Sequence, residues 1–369
     1  MCNRCACAIV DPAQAFGVPD PARRPRFPAD RRSPALAAAP HVFHPCTRAC
    51  GQAVLTPNRK ESQMNIRSWS QQVKSVAPLL MAGFVAMLAF APKGHAEGIG
   101  EPGHIQVEVV GTGRPVLMIP GLNSSADVWR DTCAALHVQC HLVQLPGFAG
   151  AAAADPRATD FLPAMRDELL AYIRQQPLEK PAVVGHSLGG VLALQMAIKA
   201  PGTVGPLVIV DSLPFYAAIQ DPNATADSVA PMAAQMRKGM LAADDASYQA
   251  QADAAMKGMT TDSARLPELL RWGRASDRQT TADAMHSMLV HDLRGELGAI
   301  RSPVLVLGSW AAYQAFGATE ASTKAIFQGQ YAKLDGVRIE MSRAGHHFLM
   351  WDDPQWLQKQ VAGFLADAR

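Results

Sequence analysis

Gly185-His186-Ser187-Leu188-Gly189 sets a serine between glycines two residues to either side. Gly-x-Ser-x-Gly recurs by chance in roughly one chain in ten at average composition, so its surroundings decide its weight. Here the apolar run Ala182-Val183-Val184 precedes it, and a helical pattern from Leu188 to Lys199 follows. Strand, sharp turn and helix are the context in which such a serine acts as a nucleophile. The turn imposes strained backbone angles on the serine, and side chains two residues to either side would collide. The hydroxyl then projects at the sheet edge, and the first amides of the helix point toward any oxyanion that develops. A serine hydroxyl is a weak nucleophile at neutral pH and needs a base. Near the C terminus, Gly345-His346-His347-Phe348-Leu349-Met350-Trp351-Asp352-Asp353-Pro354 offers two adjacent imidazoles directly after an apolar run.

Positioning these groups is the task of the elements between them. Val107–Val110, Val116–Ile119, His141–Leu145, Ala182–Val184, Leu207–Val210, Val304–Leu307 and Val337–Met341 read as short strands, most of them continuously apolar. Helical patterns fall at 126–136, Leu162–Arg174, Leu188–Lys199 and Pro354–Ala366. Apolar strands alternating with helices predict an α/β fold, a mostly parallel sheet covered on both faces. From Ser212 to about Glu296 no strand is legible. Helices over about 212–296, inserted between two late strands, would cap the sheet's C-terminal edge, where ligands bind in such folds. Met232, Met236, Met240, Met256, Met259, Met285 and Met288 fall in this stretch. Each reads singly as helix packing, and together they suggest an adaptable apolar lining.

With the elbow at Ser187, the Gly111-Thr112-Gly113 turn, Pro120-Gly121, Pro146-Gly147-Phe148 and the terminal histidine loop, the sequence resembles the α/β-hydrolase superfamily in its capped, single-domain form. The resemblance covers about residues 103–366. In that family the base is often followed by an aromatic and, some seven residues on, by Asp-Pro. Counted back from Asp353-Pro354, that pattern selects His347 over His346. His186 is then a packing residue of the elbow. The family commonly places its acid after the strand that is Val304–Leu307 here, but Gly308-Ser309-Trp310-Ala311-Ala312-Tyr313 holds no carboxylate. Some members carry the acid at the preceding strand end, which selects Asp211. Glu320, in a stretch rich in Ala, Gly and Thr that reads as a loop, is the alternative. The resemblance implies an oxyanion hole from the backbone amides of Leu122 and Leu188. Pro120 stands where a histidine is frequent. Asn123 and Ser124 read as loop caps.

The implied reaction is hydrolysis of a small, apolar carboxylic ester or thioester through an acyl-enzyme, with no cofactor. A cofactor-free perhydrolase or a carbon–carbon bond hydrolase on the same three residues is the alternative among enzymes. A non-catalytic ligand-binding member of the fold is the alternative outside them. Serine at the elbow argues against dehalogenase and epoxide hydrolase chemistry, which uses aspartate there. No Gly-x-Gly-x-x-Gly follows the first strand and no phosphate-binding lysine loop is present, so nucleotide binding has no support.

The charge is unevenly spread over the 369 residues. Residues 1–63 carry nine Lys/Arg against four Asp/Glu, and hold five of the seven cysteines and nine of the 27 prolines. Residues 64–96 add Arg67, Lys74 and Lys93 without an acid, so the body is mildly acidic although the whole chain is +2. That balance argues against nucleic acid as a partner. Residues 1–63 lack any sustained period and read as a disordered or translated upstream extension. Their Cys2, Cys5, Cys7 and His41, His44, Cys46, Cys50 clusters have no apolar scaffold to hold a metal. From Met64 a basic start, an apolar stretch from Val76 to Ala91, and the small residues Gly94 and Ala96 at −3 and −1 predict a signal peptide over 64–96. Cleavage after Ala96 would release a periplasmic or secreted protein with no membrane span. The apolar stretch, broken by Pro78 and Gly83, is too short for a membrane anchor. Cys133 and Cys140 remain in the mature chain. On one uninterrupted helix they would lie ~10 Å apart, beyond bridging, and only a helix ending near Leu136 would let them meet. The reading leans to two separate thiols.

Overall fold

Along four central strands the side chains alternate between two apolar cores. Leu117, Ile119, Val183, Leu207, Ile209, Val304 and Val306 enter one; Val116, Met118, Val184, Val208, Val210, Leu305 and Leu307 enter the other. A strand's period of two puts successive residues on opposite faces, so a continuous apolar run means a strand covered on both sides. The computed structural model describes residues 101–154 and 160–368. The expected extension 1–63, its cysteine and histidine clusters, and the signal segment 64–96 lie outside them.

Seven strands form one sheet: β1 Gln106–Val110, β2 Pro115–Ile119, β3 Gln139–Gln144, β4 Ala182–His186, β5 Leu207–Val210, β6 Val304–Gly308 and β7 Arg338–Met341. Their spatial order is β1-β3-β2-β4-β5-β6-β7, with β1 antiparallel to β3 and the other pairs parallel. One face carries α2 Phe161–Gln175, α3 Leu188–Lys199 and α8 Glu320–Gln330. The other carries α1 Arg130–Leu136 and α10 Pro354–Asp367, which contribute Cys133, Leu357, Val361 and Phe364 to its core. This is the predicted α/β-hydrolase fold.

Between β5 and β6 the chain carries four α-helices and no strand: α4 Ala226–Ala242, α5 Asp245–Met256, α6 Leu266–Ala275 and α7 Arg278–Val290. Thr225, Asp244 and Asp277 cap three of these helices through their side chains. The methionines divide. Met256 and Met288 are buried, as packing residues should be, whereas Met232 and Met236 are exposed on α4.

Two expectations need correction. Cys133 and Cys140 form a disulfide, with Cα atoms 6.1 Å apart. The helix stops at Leu136, and His137 takes a left-handed conformation (φ 51°, ψ 44°) that turns the chain straight into β3. Glu320 is not in a loop. It is the first residue of α8, whose N-cap Thr319 exchanges hydrogen bonds with Ser322 in a capping box.

Candidate active site

Four consecutive parallel strands, β4 to β7, end in Ser187, Asp211, Ser309 and Ser342, which therefore line one edge of the sheet. The Ser187 amide continues the ladder, donating to Val210 O at 2.9 Å, and the Asp211 amide donates to Leu307 O at 2.7 Å. Both residues then leave the strand with positive φ, 51° at Ser187 and 44° at Asp211. Such angles are costly for residues with a Cβ and persist only where the surroundings enforce them.

At Ser187 the enforcement is steric. A Cβ on Gly185 would lie 2.2 Å from Gly189 O, and one on Gly189 would lie 2.3 Å from Ile119 O and 2.6 Å from Pro120 O. All these obstacles are backbone, so neither glycine can be replaced without opening the turn. The Ser187 carbonyl accepts from Gly190 N at 2.8 Å and Val191 N at 3.2 Å, which starts α3 at once. The 120–123 loop presses on the same point. A Cβ on Gly121 would stand 3.1 Å from Ser187 Cβ and 3.0 Å from His186 Nδ1. The amide of Leu188 opens α3 and has no acceptor within the helix. Neither it nor the Leu122 amide is taken by another group among the described residues. Two free donors thus flank the half-buried serine.

His347 follows β7 in the loop before α9 Leu349–Asp352. Its Nδ1–H donates to Asp211 Oδ2 at 2.7 Å, and the aspartate side chain is only 8% exposed. A carboxylate only accepts, so this bond fixes the tautomer and leaves Nε2 as the basic nitrogen. Asp211 is held in turn by Ser309, whose amide donates to Oδ1 at 2.8 Å and whose hydroxyl donates to Oδ2 at 3.0 Å. Ser309 lies at the strand end where the family's acid is commonly found, and here it serves the acid one strand over. Nothing in the sequence singled it out. Glu320, the alternative acid, instead faces Arg343 Nε at 3.7 Å on the surface.

His186 packs in the elbow, its ring 4.5 Å from that of His347 and 4.9 Å from that of Phe348. Its Nε2–H donates to the His347 carbonyl at 2.9 Å, and its Nδ1 is buried without a partner. Burial, and then the neighbouring His347, push its pKa well below the ordinary histidine value. A neutral His186 places no second positive charge beside an imidazolium at His347. Of the two expected loop caps, Ser124 acts within its loop, whereas Asn123 reaches across to the cap instead. Asn123 Oδ1 accepts from Thr281 Oγ1 of α7 at 2.7 Å, and Ser124 Oγ donates to Leu122 O at 3.3 Å. Among the described residues no group of three or more His, Cys, Asp or Glu side chains is placed to hold a metal ion.

Residues 116–359 match the model of the Alpha/beta hydrolase family. The chain belongs to that family. Two curated relatives are pimeloyl-[acyl-carrier protein] methyl ester esterases. That of Aliivibrio salmonicida is 36% identical over 110 residues, and that of Pectobacterium atrosepticum is 32% identical over 108. Each alignment spans 29% of this chain and 40% of the relative. Among solved structures, the enol-lactonase of Burkholderia xenovorans LB400 superposes with a TM-score of 0.56 at 17% identity. It covers 71% of this chain and 96% of its own. At that identity the likeness is one of fold. This α/β-hydrolase is thus an enzyme by family, with its chemistry-bearing side chains gathered at the edge where the fold binds ligands.

Proposed function

We propose that this α/β-hydrolase cleaves a small, apolar carboxylic ester or thioester, with Ser187 as nucleophile, His347 as base and Asp211 as acid. The observation that carries the proposal is the 2.7 Å bond from His347 Nδ1 to the buried Asp211 carboxylate, one strand from a serine held at φ 51°. His347 Nε2 takes the Ser187 proton as Oγ attacks the acyl carbon. The Leu122 and Leu188 amides receive the oxyanion. The imidazolium, steadied by Asp211, protonates the departing alcohol or thiol. Water then attacks the acyl carbon as it loses a proton to His347, and the imidazolium returns that proton to Ser187 Oγ as the acid is released. The methyl ester esterase relatives favour an ester substrate. Ser187→Ala should abolish turnover of a p-nitrophenyl ester and labelling by a fluorophosphonate with the fold intact. His347→Ala should match it, while His346→Ala keeps most of the activity. Retained turnover in Ser187→Ala removes the nucleophile. Reversal of the two histidine variants moves the base by one residue.

We further infer that the enzyme starts at Met64, is exported, and loses residues 64–96. The Cys133–Cys140 disulfide supports this reading, because such bonds persist in oxidising compartments. No helix among the described residues is long and apolar enough to cross a membrane.

A further inference from the structure

The loop bearing His347 is tied to the cap chiefly through one carboxylate. Asp352, which ends α9, accepts on Oδ1 from Thr260 Oγ1 at 2.7 Å and from the amides of Thr261 at 3.0 Å and Asp262 at 3.3 Å. These three donors belong to the turn between α5 and α6 of the cap. On Oδ2 the same side chain accepts from the His346 amide at 2.9 Å. A carboxylate offers about four lone-pair positions, and here four donors meet it. Two more bonds join the same segments: Phe348 N to Met259 O at 3.1 Å, and His346 Nδ1 to Gly258 O at 3.1 Å. The ring of Trp351 lies between Phe348, stacked at 4.8 Å, and Trp272 of α6 at 5.5 Å.

The consequence falls on His347. The amide before it is held by Asp352, the amide after it by the cap carbonyl of Met259, and its own carbonyl by His186. The backbone of the proposed base is therefore anchored on each side, and two of the three anchors pass through the contact with the 258–262 turn. We infer that Asp352 is a positioning residue for His347, making cap docking and alignment of the base one event. The inference rests on the reading of His347 as the base. His346 gains a role here too, since its imidazole docks on the cap instead of serving the nucleophile.

The test compares Asp352→Asn and Thr260→Val with Ser187→Ala on p-nitrophenyl butyrate. Asparagine keeps the shape but has one acceptor oxygen, so it cannot serve both the cap donors and the His346 amide. Misplacement of a catalytic group by about 1 Å can cost on the order of 100-fold. Asp352→Asn should lower kcat roughly 10- to 100-fold with KM changed less than about threefold. Thr260→Val removes the shortest bond to Asp352, together with the bond that Thr260 Oγ1 accepts from the Asp262 amide at 3.1 Å, and should lower kcat several-fold, adding nothing further in the Asp352→Asn background. A merely structural role would lower Tm and leave the kcat of the folded enzyme at the wild-type value, and that result overturns the inference. Should Asp352→Asn fail to fold, unchanged kcat in Thr260→Val overturns it alone. Ser187→Ala keeps the two claims apart. If it is inactive while the clasp variants match wild type, only the clasp fails. If it is active, the reading of the site fails first.

Discussion

At the scale of single residues, the decisive arrangement is a carboxylate served from both sides. Asp211 receives His347 on Oδ2 and Ser309 on both oxygens, so its orientation does not depend on its own short, left-handed backbone segment alone. Asp211→Asn keeps the volume but presents an amide that can favour the wrong imidazole tautomer. The serine-protease precedent puts such a change near ~10⁴-fold in turnover. The same direction is expected here with a smaller magnitude, while Glu320→Gln, paired on the surface with Arg343, should change the rate only slightly. A crippled Glu320→Gln enzyme would reverse the assignment. His186 makes a second prediction, on stability. Its pKa is depressed by burial, so the folded state refuses a proton that the unfolded chain takes up below about pH 6.5. Stability therefore falls as the pH is lowered through that value, by up to about 1.4 kcal/mol per pH unit from this group. Buried His141, also depressed, acts in the same direction. In urea titrations at pH 7 and pH 5, His186→Gln should lose less stability on acidification than the wild type. Equal losses would show that His186 accepts its proton in the fold. Ser187, His347 and Asp211 were legible because motif and strand ends mark them. Ser309 and Asp352 were not, because a serine and an aspartate reveal their partners, 98 and 90 or more residues away, only after folding.

At the scale of elements, the strands were readable because a run covered on both faces must be apolar, as Ala182–Val184 of β4, Leu207–Val210 of β5 and Val304–Leu307 of β6 are. Turns were harder. Nothing in the periodicity marks His137 as left-handed, yet that one residue ends α1 and lets Cys133 reach Cys140. The start of α8 was hidden for a different reason. Its Thr319-x-x-Ser322 box is sequence-encoded, but the surrounding Ala, Gly and Thr mask the helical stripe. The disulfide joins α1 to the β3 strand across seven residues. Closing so short a loop in the unfolded chain is expected to stabilise the fold by about 2 kcal/mol. Cys133→Ser/Cys140→Ser should lower the denaturation free energy by about that amount and leave turnover of a p-nitrophenyl ester near the wild-type level, because neither cysteine bonds to the site. A double variant as stable as the parent would mean that the α1–β3 corner is already fixed by its packing under Trp129 and α10.

At the scale of the whole molecule, the export proposed above draws on the basic start of the 64–96 segment and on the disulfide. The cationic surplus is confined to residues 1–96 and the body is acidic, so cleavage after Ala96 would take a chain begun at Met64 from a net charge of −3 to −6. A buried thiol pair would suffice in a reducing cytosol, whereas an oxidised pair needs a compartment in which disulfides persist. Both observations fit a leader that directs export and is then cut away after Ala96, between small residues and ahead of Glu97. Expression from Met64 in a Gram-negative host should deliver the protein to the periplasm with Glu97 as its first residue by N-terminal sequencing. Alkylation before and after reduction should find Cys133 and Cys140 oxidised in that fraction. The same domain begun at Glu97, without the leader, should stay in the cytosol with both thiols free and show the roughly 2 kcal/mol deficit expected of the serine variants. A cytosolic protein that retains residues 1–63 would sink the export reading. The ester chemistry would stand, because Ser187, His347 and Asp211 owe their positions to β4, β5 and β7 and not to the leader.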